Sequence, residues 1–283
     1  MIKKKINIKL SEDKFYLLLL CIVMSIFYLL YFNRFISDLV GWQTFDGLLM
    51  REEGKMIYKD FYSYLPPLYT LRCSLLDIIF NGSYLAYRCV CIIERISLAV
   101  LQFVILKHFF RPSICWIACC VSGILVCTTN FDTFSDYNQL YKIFLLLAIY
   151  FAISFLETVE YQKKYIRLCM CGISLGLIFL TKQSIGLIAP CAFFVTLMII
   201  CWVKKERNWW KYSLWSIIGY LFPILITYSW LLANGALIDY FEQVFFKLNS
   251  KGSVSHVLFS IWNHIFNFNT VTLFCSLFIS LWC

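Results

Sequence analysis

Asp46 is the acidic residue in this sequence whose surroundings best suit acid–base chemistry. It lies in residues 41–54, where Thr44 is a suitable N-cap and Gly54 a suitable terminator of a short helix. This spacing predicts that Asp46 falls in the first helical turn. Backbone amides at a helix start favour an ionised carboxylate, which is the state that a general base requires. The alternative interpretation is that Asp46 only stabilises the helix start.

Three basic residues are placed where they can bind an anion such as a phosphate group. Arg88 and Arg95 are seven residues apart, so a helix over this region presents both on one face. Lys182 lies beside Gln183 at a predicted turn, where its ammonium group can reach an anionic head group. The alternatives are ion pairing of the arginines with Glu94 or neighbouring carboxylates, and a lysine that only extends along the apolar surface.

A second acidic segment, residues 130–138, carries Asp132 and Asp136 and no basic residue. Both carboxylates are predicted to face the same cavity as Asp46. A divalent ion between Asp46 and Asp136 agrees with the preference of such ions for oxygen ligands. Two carboxylates on separate loops form no recognisable metal motif, so no metal site is predicted and the cofactor stays unknown. The chain also contains no glycine-rich phosphate loop, HExxH or GxSxG motif.

The composition predicts that a polytopic membrane protein holds these residues. Of the 283 residues, 61% are hydrophobic and 14% are charged, against about 25% charged in soluble domains. Each crossing of the bilayer needs about 20 apolar residues, so the chain has room for several. In so apolar a chain, the excess of basic residues that gives a net charge of +9 indicates which loops lie on the cytoplasmic side. Membrane lipid is therefore an expected partner, and nucleic acid is not.

The positions of basic residues predict the topology. The first apolar run, 15–32, follows an N-terminal segment rich in lysine, so the N-terminus is predicted to be cytoplasmic. Two loops on the same side of the membrane must be separated by an even number of crossings. Residues 33–88 are therefore predicted to form one outer loop with short helices along the membrane. The same rule makes 168–203 a hairpin that turns at 182–184 and has a short first arm. The basic gaps assigned to the cytoplasmic side are 107–111, 163–167 and 204–211.

The predicted fold is an all-α polytopic transmembrane helical bundle of about eight spans in the cell membrane. Residues 1–283 are expected to form a single integral membrane domain, with 203–212 as a cytoplasmic basic loop. The spans outside the hairpin are placed near 15–32, 89–106, 113–128, 139–157, 213–233 and 257–282.

The order of several short motifs resembles the N-terminal half of polytopic glycosyltransferases of the GT-C superfamily. The resemblance covers roughly residues 15–205. The nearest groups are the protein O-mannosyltransferase-like family 39 enzymes and the aminoarabinose transferases of lipid A. The motifs that carry it are Asp46-Gly47, Gly54, Tyr58-Lys59-Asp60-Phe61, Pro66-Pro67-Leu68, Gly82-Ser83 followed by Arg88, and Thr181-Lys182-Gln183.

This resemblance implies a sugar donor linked to a polyprenyl phosphate and a lipid, glycan or protein acceptor. It implies that Asp46 acts as the base or binds the acceptor, and that Asp136, or less well Asp132, is the second acidic residue. It also implies that Arg88 and Lys182 hold the donor phosphate. The residues expected to support the site are Tyr58, Asp60, Asp132 and Gln183.

The sequence thus predicts a membrane glycosyltransferase that acts at the outer membrane face. One alternative is a transporter or lipid flippase whose pathway is lined by Glu94, Arg95 and Lys142. Another is an inactive, truncated module, because the chain stops inside the apolar run 273–283 while relatives usually have more crossings. A further departure is that Gly47 follows Asp46 where many relatives have an acidic pair.

Overall fold

The computed structural model describes residues 2–30, 32, 38–130, 136–206 and 208–246, and every regular element within these ranges is a helix. The predicted all-α class is therefore confirmed. The helices are α1 (Ile2–Leu30), α2 (Asp38–Glu52), α3 (Leu68–Phe80), α4 (Tyr84–Leu106), α5 (Pro112–Asn130), α6 (Tyr137–Glu157), α7 (Tyr161–Thr181), α8 (Gln183–Val203), α9 (Trp209–Ala233) and α10 (Leu237–Phe241), followed by a π-helical turn, Glu242–Phe246.

Six of these helices are long and apolar enough to cross a membrane: α1 from Glu12 onward, α4, α6, α7, α8 and α9. The predicted span 113–128 lies on α5, whose apolar part, Pro112–Leu125, is shorter. The last predicted span, 257–282, lies outside the described residues. The bundle of membrane-spanning helices is thus as predicted over the part of the chain that the structure describes.

Two short helices, α2 and α3, connect α1 to α4, as the sequence predicts. Pro67 precedes α3, and Asn81 ends it in the left-handed conformation with a φ of 50°. The predicted start of α2 is wrong. This helix begins at Asp38 and places Thr44 inside it, so Thr44 is not the N-cap.

The predicted hairpin is formed by α7 and α8, which are separated only by Lys182 in an extended conformation. The turn is where the sequence places it, but the first arm is not short. Helix α7 begins at Tyr161, before the basic segment 163–167, and has 21 residues. The charged side chains of its first turns stay at the polar end of the helix, where Lys163 pairs with Glu160 at 2.8 Å.

Helix α7 lies at the centre of the bundle. In its apolar part 56% of the residues are buried, compared with 28% or less in the other spans. Gly172 and Gly176 form a GxxxG pattern that packs directly on the backbone of α9 at Ser216 and Tyr220. Small residues allow the two backbones to approach closely, so this contact fixes the position of the α7 end that precedes Lys182.

Candidate active site

Asp46 lies in the middle of α2 and is buried, with 4% of its surface exposed. Because α2 starts at Asp38, the predicted stabilisation of the carboxylate by first-turn amides is wrong. Burial instead raises the pKa of Asp46 to about 6. A carboxylate with a pKa close to neutral is well suited to accept a proton during a reaction.

Gly47 explains why a second acidic residue does not follow Asp46. A Cβ atom at Gly47 would lie 2.6 Å from the Cβ of Cys73 and 2.8 Å from the backbone nitrogen of Ser74 on α3. Contacts this short leave no room for any side chain. The close packing of α2 on α3 therefore accounts for a glycine, and not a second acidic residue, at this position.

Tyr58 lies in a tight turn after α2, is buried and has a positive φ of 71°. Its hydroxyl donates a hydrogen bond of 2.6 Å to the carbonyl of Leu65. Burial, then Tyr240 and Tyr228, and finally Asp46 raise the pKa of Tyr58, which places it near the Asp46 carboxylate. Asp60 accepts a 2.6 Å hydrogen bond from the backbone of Met56 and so holds the turn.

Gln243, which the sequence gave no reason to select, fixes this turn from the far end of the chain. Its side-chain oxygen accepts a hydrogen bond of 3.0 Å from the backbone nitrogen of Ser63. Its side-chain nitrogen donates one of 2.5 Å to the carbonyl of Tyr58. Both bonds are buried, so the π-helical turn after α10 is part of the framework around Asp46.

Replacing Gln243 by leucine is expected to lower the free energy of unfolding by about 1–3 kcal/mol, because it leaves a buried N–H and a buried carbonyl without partners. Thermal unfolding in detergent and limited proteolysis of the turn measure this effect. The matched control is Gln162→Leu, at an exposed position on α7. Equal stability and equal protease resistance of the two variants would contradict the expectation.

Asp136, Asn138 and Lys182 form a chain of hydrogen bonds at the start of α6. Asp136 is the N-cap of α6 and accepts bonds of 2.9 Å from the backbone of Gln139 and from the side chain of Asn138. The side-chain oxygen of Asn138 accepts a 2.6 Å hydrogen bond from the ammonium group of Lys182. Asp136 therefore acts on Lys182 through Asn138, which was not among the predicted site residues.

The ammonium group of Lys182 also faces two aromatic rings, with its nitrogen 5.5 Å from the ring centre of Tyr137 and 5.1 Å from that of Tyr141. Burial lowers the pKa of Lys182, and the nearby Asp136 opposes this effect. The neighbouring Gln183 donates a hydrogen bond of 3.5 Å to the carbonyl of Tyr64. The lysine is thus held partly dehydrated beside the turn after α2.

Tyr64 connects the two halves of the site. Burial first, and then the neighbouring Tyr137, Tyr62 and Asp46, raise the pKa of Tyr64. It therefore lies near both Asp46 on α2 and Tyr137 at the start of α6. The structure brings most of the predicted site residues around it: Asp46, Tyr58, Asp136, Lys182 and Gln183.

The expectation that Arg88 joins Lys182 in one phosphate site finds no support in its contacts. Its guanidinium group donates 2.8 Å and 3.2 Å hydrogen bonds to the Phe32 carbonyl and the Tyr84 hydroxyl. It stacks on the Tyr84 ring at 4.6 Å, and no hydrogen bond or ring contact joins it to another of the predicted site residues that the structure describes, so its phosphate-binding role stays a prediction. Glu94 pairs with Arg72 on α3 at 2.6 Å, and no ion pair between Arg88 and Glu94 is found among the described residues.

Asp132 lies outside the described residues, so its predicted place in the site has no structural counterpart. Among the residues that the structure describes, no three His, Cys, Asp or Glu side chains lie close enough to hold a metal ion. The candidate active site is accordingly built from carboxylate, ammonium, phenol and amide groups.

No protein-family model matches the chain, and no curated protein matches it. Among solved structures, ArnT from Cupriavidus metallidurans bound to undecaprenyl phosphate is similar over 80% of this chain and 42% of that one. The TM-score is 0.56 and the sequence identity is 11%. The chain spans less than half the length of ArnT, and the likeness at this identity concerns the fold. The protein is a multi-pass membrane protein whose helical fold is similar to that of ArnT.

Proposed function

We propose that this protein is part of or constitutes a membrane glycosyltransferase that uses a sugar linked to a polyprenyl phosphate. One observation carries the proposal: in a bundle whose fold is similar to that of ArnT, a buried carboxylate, Asp46, and a partly dehydrated ammonium group, Lys182, both lie near Tyr64. The motif resemblance to GT-C glycosyltransferases, read from the sequence, points to the same chemistry. The undecaprenyl phosphate bound to ArnT supports a polyprenyl lipid as the donor carrier.

The proposed reaction is an inverting transfer. The acceptor hydroxyl oxygen forms a bond to the anomeric carbon of the sugar, while the bond from this carbon to the phosphate oxygen breaks. The electron pair leaves with the polyprenyl phosphate, and Asp46 takes the hydroxyl proton. Lys182 stabilises the charge on the leaving phosphate, which is most effective where water is partly excluded.

The positions of the basic residues support an assignment of the loops to the two sides of the membrane. With the N-terminus and the 203–212 loop cytoplasmic, residues 33–88 and the Lys182 turn lie at the outer face of the cell membrane. The whole chain, 1–283, then forms one integral membrane domain. The acceptor is a lipid, glycan or protein hydroxyl that reaches Asp46 from this side.

Replacing Lys182 by glutamine is expected to weaken binding of undecaprenyl phosphate about tenfold or more, since a hydrogen bond to a charged group is lost. Lys182→Arg keeps the charge and is expected to retain most of the affinity. Binding is measured on purified protein in detergent by tryptophan fluorescence. The control is Lys163→Gln, which removes an exposed charge on the first turn of α7.

Turnover is tested with a panel of radiolabelled sugars on undecaprenyl phosphate, by release of the label to an acceptor lipid extract or to water. The proposal expects release from at least one donor by the wild type and reduced release by Lys182→Gln. It is overturned if no donor is turned over and the Lys182 variants bind undecaprenyl phosphate as well as the wild type. Movement of undecaprenyl phosphate between leaflets without release would favour the flippase alternative.

A further inference from the structure

A cavity of about 150 Å³, whose wall is mostly apolar but includes several polar side chains, lies within the helical bundle where α1, α4, α5 and α6 meet. Neither Asp46 nor Lys182 lines it, although it adjoins the candidate active site through Gln139, whose backbone donates a hydrogen bond to Asp136. Leucines, Ala99 and Gly123 form the apolar part of its wall. The polar side chains that line it are Tyr28, Arg95, Gln102, Ser122, Gln139 and Lys142.

Helical spacing brings these polar groups onto facing sides of the cavity. Arg95 and Gln102 are seven residues apart on α4, and Gln139 and Lys142 are three apart on α6, so each pair shares a helix face. The lining contains two basic side chains, two carboxamides and no carboxylate among the described residues. The adjacent Glu94 is engaged by Arg72 on α3, at 2.6 Å.

The two basic groups lie within the membrane-spanning helices, where a charge is costly unless polar groups or an opposite charge compensate it. Arg95 is 4% exposed, and its guanidinium carbon lies 5.9 Å from the ring centre of Tyr28. Lys142 is half-buried, and no carboxylate from the described residues pairs with it. The cavity is therefore a pocket of positive charge with amide donors around it.

We propose that this cavity binds a phosphate group, either as the head group of a membrane lipid or as the free anion. Four hydrogen-bond donors line this one small space: the guanidinium group of Arg95, the ammonium group of Lys142 and the carboxamides of Gln102 and Gln139. Such a set satisfies a tetrahedral anion with several acceptor oxygens. The site rests on its own lining and does not depend on the proposed glycosyl transfer.

The probes are dodecyl phosphate, which carries a single apolar chain, and inorganic phosphate. Binding is measured by isothermal titration and native mass spectrometry on the full chain in a neutral detergent. Lys182→Gln serves as the background, so that binding at the candidate active site does not contribute. Lys142→Gln is then added, with Lys142→Arg as the charge-retaining variant and Lys163→Gln as the matched neutralisation at an exposed position.

We expect dodecyl phosphate to bind the background protein at one site and to lose about tenfold or more in affinity with Lys142→Gln. Lys142→Arg and Lys163→Gln are expected to retain the affinity. Competition by millimolar inorganic phosphate, or its direct binding, indicates the free anion, and binding of dodecyl phosphate alone indicates a lipid head group. Affinity that Lys142→Gln leaves unchanged overturns the proposal. So does the absence of binding of either probe to a background protein that keeps the wild-type thermal stability.

Discussion

Replacing Asp46 by asparagine is expected to reduce sugar transfer by about a hundred-fold to ten-thousand-fold, the usual contribution of a positioned general base. Asparagine has nearly the same shape but cannot take the proton of the acceptor hydroxyl. The loss should appear in kcat with little change in the affinity for undecaprenyl phosphate, because Lys182 and its partners are unchanged. Single-turnover transfer from the donor that the wild type uses measures the effect.

Misfolding is not expected to explain this loss. Burial raises the pKa of Asp46 from 3.8 to about 6, so the folded protein binds a proton that the unfolded chain releases between these pH values. Stability therefore falls as pH rises through this window, and above it the ionised, buried carboxylate destabilises the fold. A neutral asparagine removes that destabilisation, so the variant should be at least as thermally stable as the wild type at pH 7.

The same pKa predicts the pH dependence of the wild type, whose kcat/KM is expected to fall as pH drops below about 6 because the base becomes protonated. The matched control is Glu52→Gln, which removes an exposed carboxylate at the end of the same helix. Transfer by Asp46→Asn at the rate of Glu52→Gln, with the same pH profile, would show that Asp46 is not the base.

Replacing Gly172 by alanine is expected to destabilise the bundle by about 1–3 kcal/mol or more, the usual range for overpacking. A Cβ atom there would overlap the carbonyl oxygen of Ser216 and lie 2.8 Å from the backbone nitrogen of Tyr220. These are backbone atoms of α9, so the helices themselves must separate. Because α7 ends one residue before Lys182, binding of undecaprenyl phosphate should weaken as well.

Gly123→Ala is the matched comparison, because it adds the same methyl group to another helix of the bundle. Its Cβ atom would overlap the terminal methyl group of Met24, which can rotate away. Thermal unfolding in detergent should therefore show a large loss for Gly172→Ala and a small change for Gly123→Ala. Equal unfolding temperatures would mean that the α7–α9 contact does not determine the stability of the bundle.

The local pattern of residues predicts a helix boundary well where proline or a left-handed residue sets it, and less well elsewhere. Pro66-Pro67 and Asn81-Gly82 bound α3 as expected, since proline and left-handed residues act on their own backbone. The start of α2 is harder to predict, because Thr44 is equally compatible with the interior of a helix that begins at Asp38. The length of α7 is underestimated for a similar reason: basic residues end an apolar run without ending a helix.

The residues of the candidate site could be selected from the sequence, but their surroundings could not. The sequence predicts that a helix start stabilises the Asp46 carboxylate, whereas in the structure burial destabilises its ionised form. Arg88 donates a hydrogen bond to the carbonyl of Phe32, just after α1, a contact that the sequence did not indicate. Gln243 meets Tyr58 from 185 residues away, a distance over which no local pattern carries information.

The sequence by itself determined that this chain is an all-α membrane bundle, because long apolar runs and the basic segments between them are properties of the chain read segment by segment. It also placed the turn at Lys182. The tertiary structure alone decided which groups are buried together, the pKa of Asp46, the role of Gln243 and the cationic cavity beside α6. Burial and partnership depend on residues from several helices at once, and only packing in three dimensions brings them into contact.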